Sequence, residues 1–136
     1  MVLLLIRASR PHVAFLGRIP GTNEYSDIEG HPENEPLANV IAFRPDSNVI
    51  YVNADTVLET VLDRIAATKP GELRMVVCDL SASPFLDLAG SEMLQKLHAE
   101  LATRKVPLRI VGARRRVREL LRNVKLDEKV GSLERG

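Results

Sequence analysis

The segment Leu73–Leu80 constrains the fold more than any other part of the chain. Four apolar side chains follow one another from Met75 to Cys78, whereas successive side chains of a strand point to opposite faces of a sheet. A strand that is apolar on both faces is expected to be covered on both, which is typical of central strands in α/β sheets. The sequence therefore predicts an α/β fold built around this strand.

Helices are predicted before and after that strand along the chain. Apolar residues recur three and four positions apart, the period of an amphipathic helix. The predicted helices are Ala54–Ala66, Leu88–Arg104 and Ala113–Asn123. Asn53 and Asp87 directly precede the first two, and each is expected to cap its helix by accepting a hydrogen bond from an unpaired backbone N–H.

Further strands complete the predicted sheet. Short β-rich runs occur at His12–Leu16, Val40–Phe43, Val49–Val52 and Pro107–Val111. Turn-forming residues between the second and third runs predict an antiparallel hairpin, while strands separated by helices pair in parallel through right-handed crossovers. We expect a small mixed sheet of about four or five strands, with three main helices packed against it.

Composition and motif content exclude several classes of function. One cysteine, Cys78, cannot form an intramolecular disulfide, and three scattered histidines (His12, His31, His98) provide no familiar zinc spacing. No Gly-Lys-Ser/Thr triplet and no Gly-x-Ser-x-Gly elbow occurs, and no nucleophile has a neighbouring base in the sequence. We therefore expect no catalysis, no metal and no cofactor.

The first 36 residues differ in character from the rest. Pro11–Pro36 is dense in Pro, Gly and Asn, which interrupt regular elements, and Thr22–Pro36 holds five acidic residues and no Lys or Arg. Val2–Ile6 is a run of five apolar residues followed by basic ones, far short of the roughly 20 that span a bilayer. Apolar residues followed by arginines are typical of the cytoplasmic end of a membrane helix, and a short strand or frayed terminus is the alternative.

The segment Asp79–Gly90 is the strongest candidate for a functional site. It leads from the buried strand through a polar loop into a capped helix, and ligands of open α/β sheets bind where strands end and helices begin. The candidate ligand- or anion-binding residues are Ser81, Ser83, Asp87, Leu88 and Gly90. A purely structural role stays open, in which the aspartate caps the helix, the glycine permits close packing and the serines satisfy loop backbone groups.

The third predicted helix begins with Arg114, Arg115, Arg116 and Arg118 and continues with Arg122. We call these five residues the arginine cluster. Exposed cations near a helix N-terminus cost about 0.3–1 kcal/mol each, so we expect an anionic partner: a lipid headgroup, a nucleotide or other small anion, or the acidic stretch Thr22–Pro36. A merely solvated basic face is the alternative. Nucleic acid is not expected, because the chain has no Trp, three Phe and two Tyr.

The order of motifs around the polar loop resembles a known family. Asp79-Leu80-Ser81, followed by Asp87-x-x-Gly90 and an amphipathic helix, resembles the STAS domain, which bacterial anti-sigma-factor antagonists share with the cytoplasmic tails of sulfate-permease-family anion transporters. In the antagonists, the residue after the aspartate is typically a serine that a partner kinase phosphorylates. Leu88 stands there in this chain and has no hydroxyl, so the switch cannot operate at this position.

Other stretches are similar to the transporter branch of that family. They are Leu16–Thr22, Phe43–Pro45, Tyr51–Ala54 and Val2–Pro11, the last being similar to the junction of the final membrane helix with the tail. The resemblance implies that residues 1–36 hold the end of a last membrane helix and a linker, within which a first strand can form. Residues 37–136 would then form the STAS-like core and tail.

The transporter resemblance implies a non-catalytic regulatory or assembly domain on the cytoplasmic side of the plasma membrane, soluble once excised. Its parent would be a secondary transporter for sulfate, bicarbonate or a similar anion, and the membrane portion of that transporter would be its main partner. Anionic lipid, a nucleotide, a cytoplasmic protein and a second copy of the domain are further expected partners. Two alternatives stay open: a free-standing anti-sigma-factor antagonist and a weak nucleotide-binding module.

Overall fold

Five strands of the computed structural model, which describes residues 12–131 and 133, form one mixed sheet in the order β2-β1-β3-β4-β5. The strands are β1 (Val13–Arg18), β2 (Tyr25–Asp27), β3 (Val40–Pro45), β4 (Met75–Asp79) and β5 (Leu108–Val111). β1 pairs antiparallel with β2 and β3, whereas β4 pairs in parallel with β3 and β5. The predicted α/β fold with a small mixed sheet is confirmed.

Helices follow the three parallel strands. They are α1 (Ala54–Ala66) after β3, α2 (Leu88–Thr103) after β4, α3 (Arg115–Asn123) after β5, and the short α4 (Asp127–Val130) after α3. The three predicted helices are therefore present, while the sequence pattern does not predict α4.

The main core lies between these helices and one face of the sheet. Alternate residues of the parallel strands point into it, as the two-residue period of a strand requires. The core residues of these strands are Ile41, Phe43, Val76, Cys78, Leu108 and Ile110. They belong to the same buried cluster as Val57, Val61, Ile65, Leu94, Leu97, Leu101, Val117 and Leu121 of the helices.

None of the described helices contributes to the small apolar cluster on the opposite face of the sheet. An open groove of about 590 Å³ lies beside that cluster. Met75 and Val77 of β4 line the groove and are only half-buried. The expectation that both faces of Leu73–Leu80 are covered is wrong for this face. The chain around Tyr25 and Leu37 flanks this face of the strand, and no layer of helices covers it.

The predicted hairpin of Val40–Phe43 with Val49–Val52 is wrong. The antiparallel partner of β3 is β1, with Phe15 opposite Phe43, and the second run contributes a single bridge between Val49 and Leu86. Val49 is fully buried in the core, Ile50 is half-buried, and Tyr51 and Val52 are exposed. Alternating burial therefore does not continue along this run.

The predicted cap at Asn53 is also wrong. No side-chain hydrogen bond caps α1 at this residue. The Asn53 side chain instead accepts a hydrogen bond from the Ile50 N–H (2.9 Å) and donates one to the Asn48 carbonyl (2.8 Å). It closes the turn that leads into the helix, which is a competing use of a short amide side chain.

The carboxyl ends of three strands and the start of β1 lie at one edge of the sheet. The carboxyl ends of β3, β4 and β5 lie there because these strands are parallel. β1 runs the other way, with Val13 opposite Pro45, and the Asp46 N–H donates to the His12 carbonyl (3.0 Å). We call this side of the sheet the carboxyl edge, and α1, α2 and α3 all begin at it.

Within residues 12–131, no helix is long and apolar enough to cross a bilayer. The predicted membrane-helix end at Met1–Ile6 lies outside the described residues. Of the tail predicted at Gly131–Gly136, Gly131 and Leu133 are described, and Leu133 is buried in the main core.

Candidate functional site

Asp87 joins the start of α2 to the loop between β3 and α1. Its Oδ1 accepts a hydrogen bond from the Gly90 N–H (2.9 Å), which confirms the predicted helix cap. Its Oδ2 accepts a second bond from the Tyr51 N–H (2.9 Å), 36 positions away in the sequence. The sequence gives no sign of this second bond, which makes one carboxylate a clamp between two loops of the carboxyl edge.

Ser83 fixes the same two loops to each other. Its side chain is fully buried, and its hydroxyl donates to the Ser47 carbonyl (2.7 Å). The Phe85 N–H donates to the Asn48 Oδ1 (2.9 Å). The polar loop after β4 is therefore held in place by the loop after β3.

Gly90 allows α2 to approach the chain around Val49. A Cβ at this position would lie 2.3 Å from the Val49 carbonyl oxygen and 2.6 Å from Leu86 Cδ1. Real carbon atoms do not come that close, so the backbone contact requires glycine. Among the five candidate residues, Ser83, Asp87 and Gly90 thus have well-defined structural roles.

Ser81 and Leu88 are the two exposed candidates, and Asp87 is half-buried. The Ser81 N–H donates to the Asp79 carboxylate (2.9 Å), while its hydroxyl makes no hydrogen bond to any residue that the structure describes. Leu88, the first residue of α2, is 60% exposed. These two side chains are the ones that the fold leaves available for a ligand or partner.

The start of α3 lies beside this loop. The Leu80 N–H donates to the Val111 carbonyl (2.9 Å). Gly112 has a φ of +69°, and a Cβ there would lie 2.6 Å from Asp79 Oδ1 and 3.1 Å from the Ser81 nitrogen. The structure therefore brings the beginning of the arginine cluster to the same edge as the candidate loop.

The arginines of the cluster differ in their surroundings. Arg118 is half-buried and donates to the Ala113 carbonyl (2.7 Å), and Arg115 lies 3.3 Å from Glu119. Arg114, Arg116 and Arg122 are exposed. The first turn of α3 contains no acidic residue, and Arg114, at its N-cap, makes no capping hydrogen bond.

The acidic stretch Thr22–Pro36 forms its ion pairs elsewhere. Glu35 pairs with Arg18, and Asp27 and Glu33 lie near His12 and His31. This stretch does not supply the ion-pair partner of Arg114, Arg115 or Arg116 among the described residues.

Four exposed apolar side chains lie next to the clamp. We call Tyr51, Val52, Phe85 and Leu88 the apolar edge cluster; their exposed fractions are 78%, 66%, 51% and 60%. Sequence reasoning missed the cluster, because Tyr51 and Val52 fit a strand pattern and Phe85 stands alone in a loop. No local pattern in the sequence distinguishes these residues from a strand and a loop residue.

Cys78 precedes Asp79 at the end of β4. Burial raises the pKa of the Cys78 thiol well above its ordinary value, and the nearby charge of Asp79 adds to the effect. A thiol held in its protonated form is a poor nucleophile. Within residues 12–131, no group of three or more His, Cys, Asp or Glu residues could hold a metal ion.

Comparison with known proteins gives a consistent picture. The profile of the STAS domain family matches residues 31–135. Sulfate transporter 2.2 of Arabidopsis thaliana is 28% identical over 138 residues, which cover 93% of this chain and 20% of the transporter. A probable sulfate transporter of Mycobacterium tuberculosis (strain ATCC 25618 / H37Rv) is 27% identical over 128 residues, which cover 94% and 23%. The chain thus spans about a fifth of the length of these relatives.

Solved structures share the fold. The murine Slc26a9 anion transporter in the inward-facing state matches 96% of this chain with a TM-score of 0.79 at 18% identity, over 21% of its own chain. The STAS domain of a SulP transporter from Vibrio cholerae matches 76% of this chain with a TM-score of 0.61 at 17% identity, over 77% of its own chain. Likeness at such low identity concerns the fold alone.

Proposed function

Because this chain belongs to the STAS domain family, we propose that it is a regulatory or assembly domain of a sulfate-permease-like anion transporter. It would lie on the cytoplasmic side of the plasma membrane, with the membrane portion of the same transporter as its partner. The observation that carries the proposal is the extent of the match: the Arabidopsis sulfate transporter aligns with 93% of this chain but only 20% of its own length. The remaining length of such a parent would contain the transport pathway for sulfate, bicarbonate or a similar anion.

The domain acts without catalysis in this proposal. The buried Cys78 has its pKa raised by burial, which disfavours the reactive thiolate. The hydroxyls of Ser83 and Ser91 are buried and donate to backbone carbonyls (2.7 Å each), so they are occupied by structural bonds. These surroundings support binding or positioning rather than chemistry.

Leu88 distinguishes an accessory domain from a phosphorylated switch protein. It follows the capping Asp87 and is exposed, which is where a partner kinase would need a hydroxyl in the antagonist branch. Ser81 is the exposed hydroxyl of the loop. Stoichiometric phosphate on Ser81 in a kinase assay would therefore favour the antagonist alternative.

The loop residues and the arginines form the contact surface of the domain. Ser83, Asp87 and Gly90 hold the loop in shape, and Ser81 and Leu88 meet a ligand or partner at its surface. The arginine cluster faces the membrane, the transporter body or a phosphate-bearing ligand such as a nucleotide. The unfavourable position of Arg114, Arg115 and Arg116 at the helix N-terminus supports a role in binding anionic groups.

Sulfate uptake by the parent transporter tests the proposal. The complete gene would be expressed in cells that lack sulfate uptake, with and without residues 37–136, and labelled sulfate entry would be measured. We expect uptake to fall when the domain is removed. Quantifying the transporter in the membrane separates lost assembly, with less protein present, from lost regulation at equal abundance. Uptake and abundance that both stay unchanged would refute the proposal.

A further inference from the structure

Exposed apolar side chains gather at the carboxyl edge. Within the described chain, the large hydrophobic side chains that stand exposed are Tyr25 and the four members of the apolar edge cluster. Tyr25 lies at the opposite edge, where it pairs with Arg18 at the end of β1. Single exposed apolar residues are ordinary, whereas several at one edge favour an interaction surface.

The backbone at Tyr51, Phe85 and Leu88 is held in place before any partner binds. Asp87 binds the N–H of Tyr51 and caps the helix that begins at Leu88. Asn48 accepts the N–H of Phe85 (2.9 Å). A surface that is already ordered loses less conformational freedom on binding, which favours affinity.

Positive charge lies at the same edge. β5 is the neighbour of β4, and adjacent strands of a sheet are about 4.8 Å apart. The chain leaves β5 through Gly112, where a Cβ would meet Asp79 and Ser81, and then enters the arginine cluster. Arg114 and Arg116 are exposed, and the two carboxylates of the adjoining loop, Asp79 and Asp87, already accept backbone N–H groups.

The described chain also starts at this edge. His12 and Val13 lie beside Asp46 and Pro45, at the end of β3. If the proposed function holds, the polypeptide reaches the domain from a membrane segment upstream. In that case the domain is tethered to the membrane segment at its carboxyl edge.

We infer that the carboxyl edge binds the surface of an anionic lipid bilayer. The apolar edge cluster enters the interface, and Arg114 and Arg116 contact lipid phosphates. Aromatic and aliphatic side chains next to arginines are typical of interfacial segments. The exposed Arg114 and Arg116 supply the positive charge that a negative lipid surface attracts. Of the exposed carboxylates at the same edge, Asp46 is paired with Arg44, while Asp55 in the first turn of α1 opposes binding. The attachment of the carboxyl edge to a membrane segment rests on the proposed function. The binding of this edge to lipid depends only on this chain.

A tryptophan reporter tests insertion directly, because the chain contains no Trp. Leu88→Trp places the reporter in the cluster, and Ala67→Trp places it at the exposed C-cap of α1, on the opposite edge. With vesicles of phosphatidylcholine and phosphatidylserine, we expect the emission of Leu88→Trp to shift to shorter wavelength and that of Ala67→Trp to stay unchanged. Unchanged emission from Leu88→Trp, or equal shifts from both, would overturn the inference.

Vesicle sedimentation then measures how much the arginines and the apolar edge cluster each contribute to lipid binding. Arg114→Gln combined with Arg116→Gln should weaken binding about 30-fold, at the usual contribution of an arginine near an anionic surface. Phe85→Ser should weaken it about fivefold, because a half-exposed aromatic side chain no longer enters the interface. Tyr25→Ser is the matched control, since Tyr25 and Phe85 are each 51% exposed, and it should bind like the parent chain.

The outcomes separate a lipid surface from other partners. Equal losses for Phe85→Ser and Tyr25→Ser would contradict insertion at the carboxyl edge. Equal binding to vesicles of phosphatidylcholine alone would contradict the role of the arginines. Failure to bind either vesicle would refute the inference and would leave the transporter body as the partner of this edge. The uptake experiment would still test the proposed function separately.

Discussion

Replacing Asp87 probes the clamp that organises the carboxyl edge. Its two carboxylate oxygens accept N–H groups from Gly90 and Tyr51, each at 2.9 Å. Asp87→Ala removes both bonds. Asp87→Asn retains an oxygen for the helix cap but turns an amide N–H₂ toward the Tyr51 N–H, so that two donors face each other.

The magnitude follows from the two bonds. Loss of an N-cap costs about 1 kcal/mol. A hydrogen bond to a charged group is worth about 1.5 kcal/mol or more, but water can reach the exposed Tyr51, which reduces this loss to about 1 kcal/mol. We therefore expect Asp87→Ala to lower the free energy of unfolding by about 2 kcal/mol and Asp87→Asn by about 1 kcal/mol.

Urea denaturation followed by circular dichroism measures these changes. With a typical slope of about 2 kcal/mol per M, the midpoint should fall by about 1 M for Asp87→Ala and about 0.5 M for Asp87→Asn. Glu92→Ala removes an exposed carboxylate from the same helix and should leave the midpoint unchanged. A midpoint for Asp87→Ala within about 0.2 M of the parent chain would refute the clamp.

Three further substitutions or reactions test the packing of the same region. Gly90→Ala should destabilise the chain by about 1–3 kcal/mol in the same urea assay, because its Cβ would meet the Val49 carbonyl at 2.3 Å; a more stable variant would mean that helix propensity wins. Gly112→Ala should cost about 1–2 kcal/mol, since its φ is +69°, and an unchanged midpoint would contradict this. Cys78 should react with thiol reagents only through unfolding, because it is fully buried and burial raises its pKa; rapid labelling of the native chain at neutral pH would contradict its burial.

The predictions that held rest on strong local signals. The apolar period of Leu88–Arg104, with Asp87 before it, identified α2 and its cap, because a short acidic side chain at that position satisfies a free backbone N–H. The run from Met75 to Cys78 located the central strand β4. These features depend on residues that are close in the sequence.

The predictions that failed depend on distant contacts. β3 pairs with β1 rather than with Val49–Val52, and no local pattern distinguishes these two partners. Asn53 is of a residue type that commonly caps helices, but its side-chain amide forms hydrogen bonds with the backbone of Asn48 and Ile50 instead. Val49–Val52 contains one buried valine and two exposed apolar side chains. The same residue types occur in strands and in interaction loops, so composition alone does not distinguish the two.

The candidate site was predictable in its position but not in its assembly. The sequence places Ser81 to Gly90 at the end of a strand and places the arginines at the start of a helix. It does not indicate that parallel pairing of β4 and β5 brings the two together, nor that Asp87 reaches Tyr51. The apolar edge cluster emerges only when these long-range contacts are known.

The reading frame around this chain tests most directly whether it is a permanent part of an anion transporter. We predict that the gene continues upstream, in frame, through repeated apolar segments of about 20 residues, each long enough to span a bilayer. A gene that begins and ends with these residues, with no membrane-spanning segment ahead of them, would contradict the assignment.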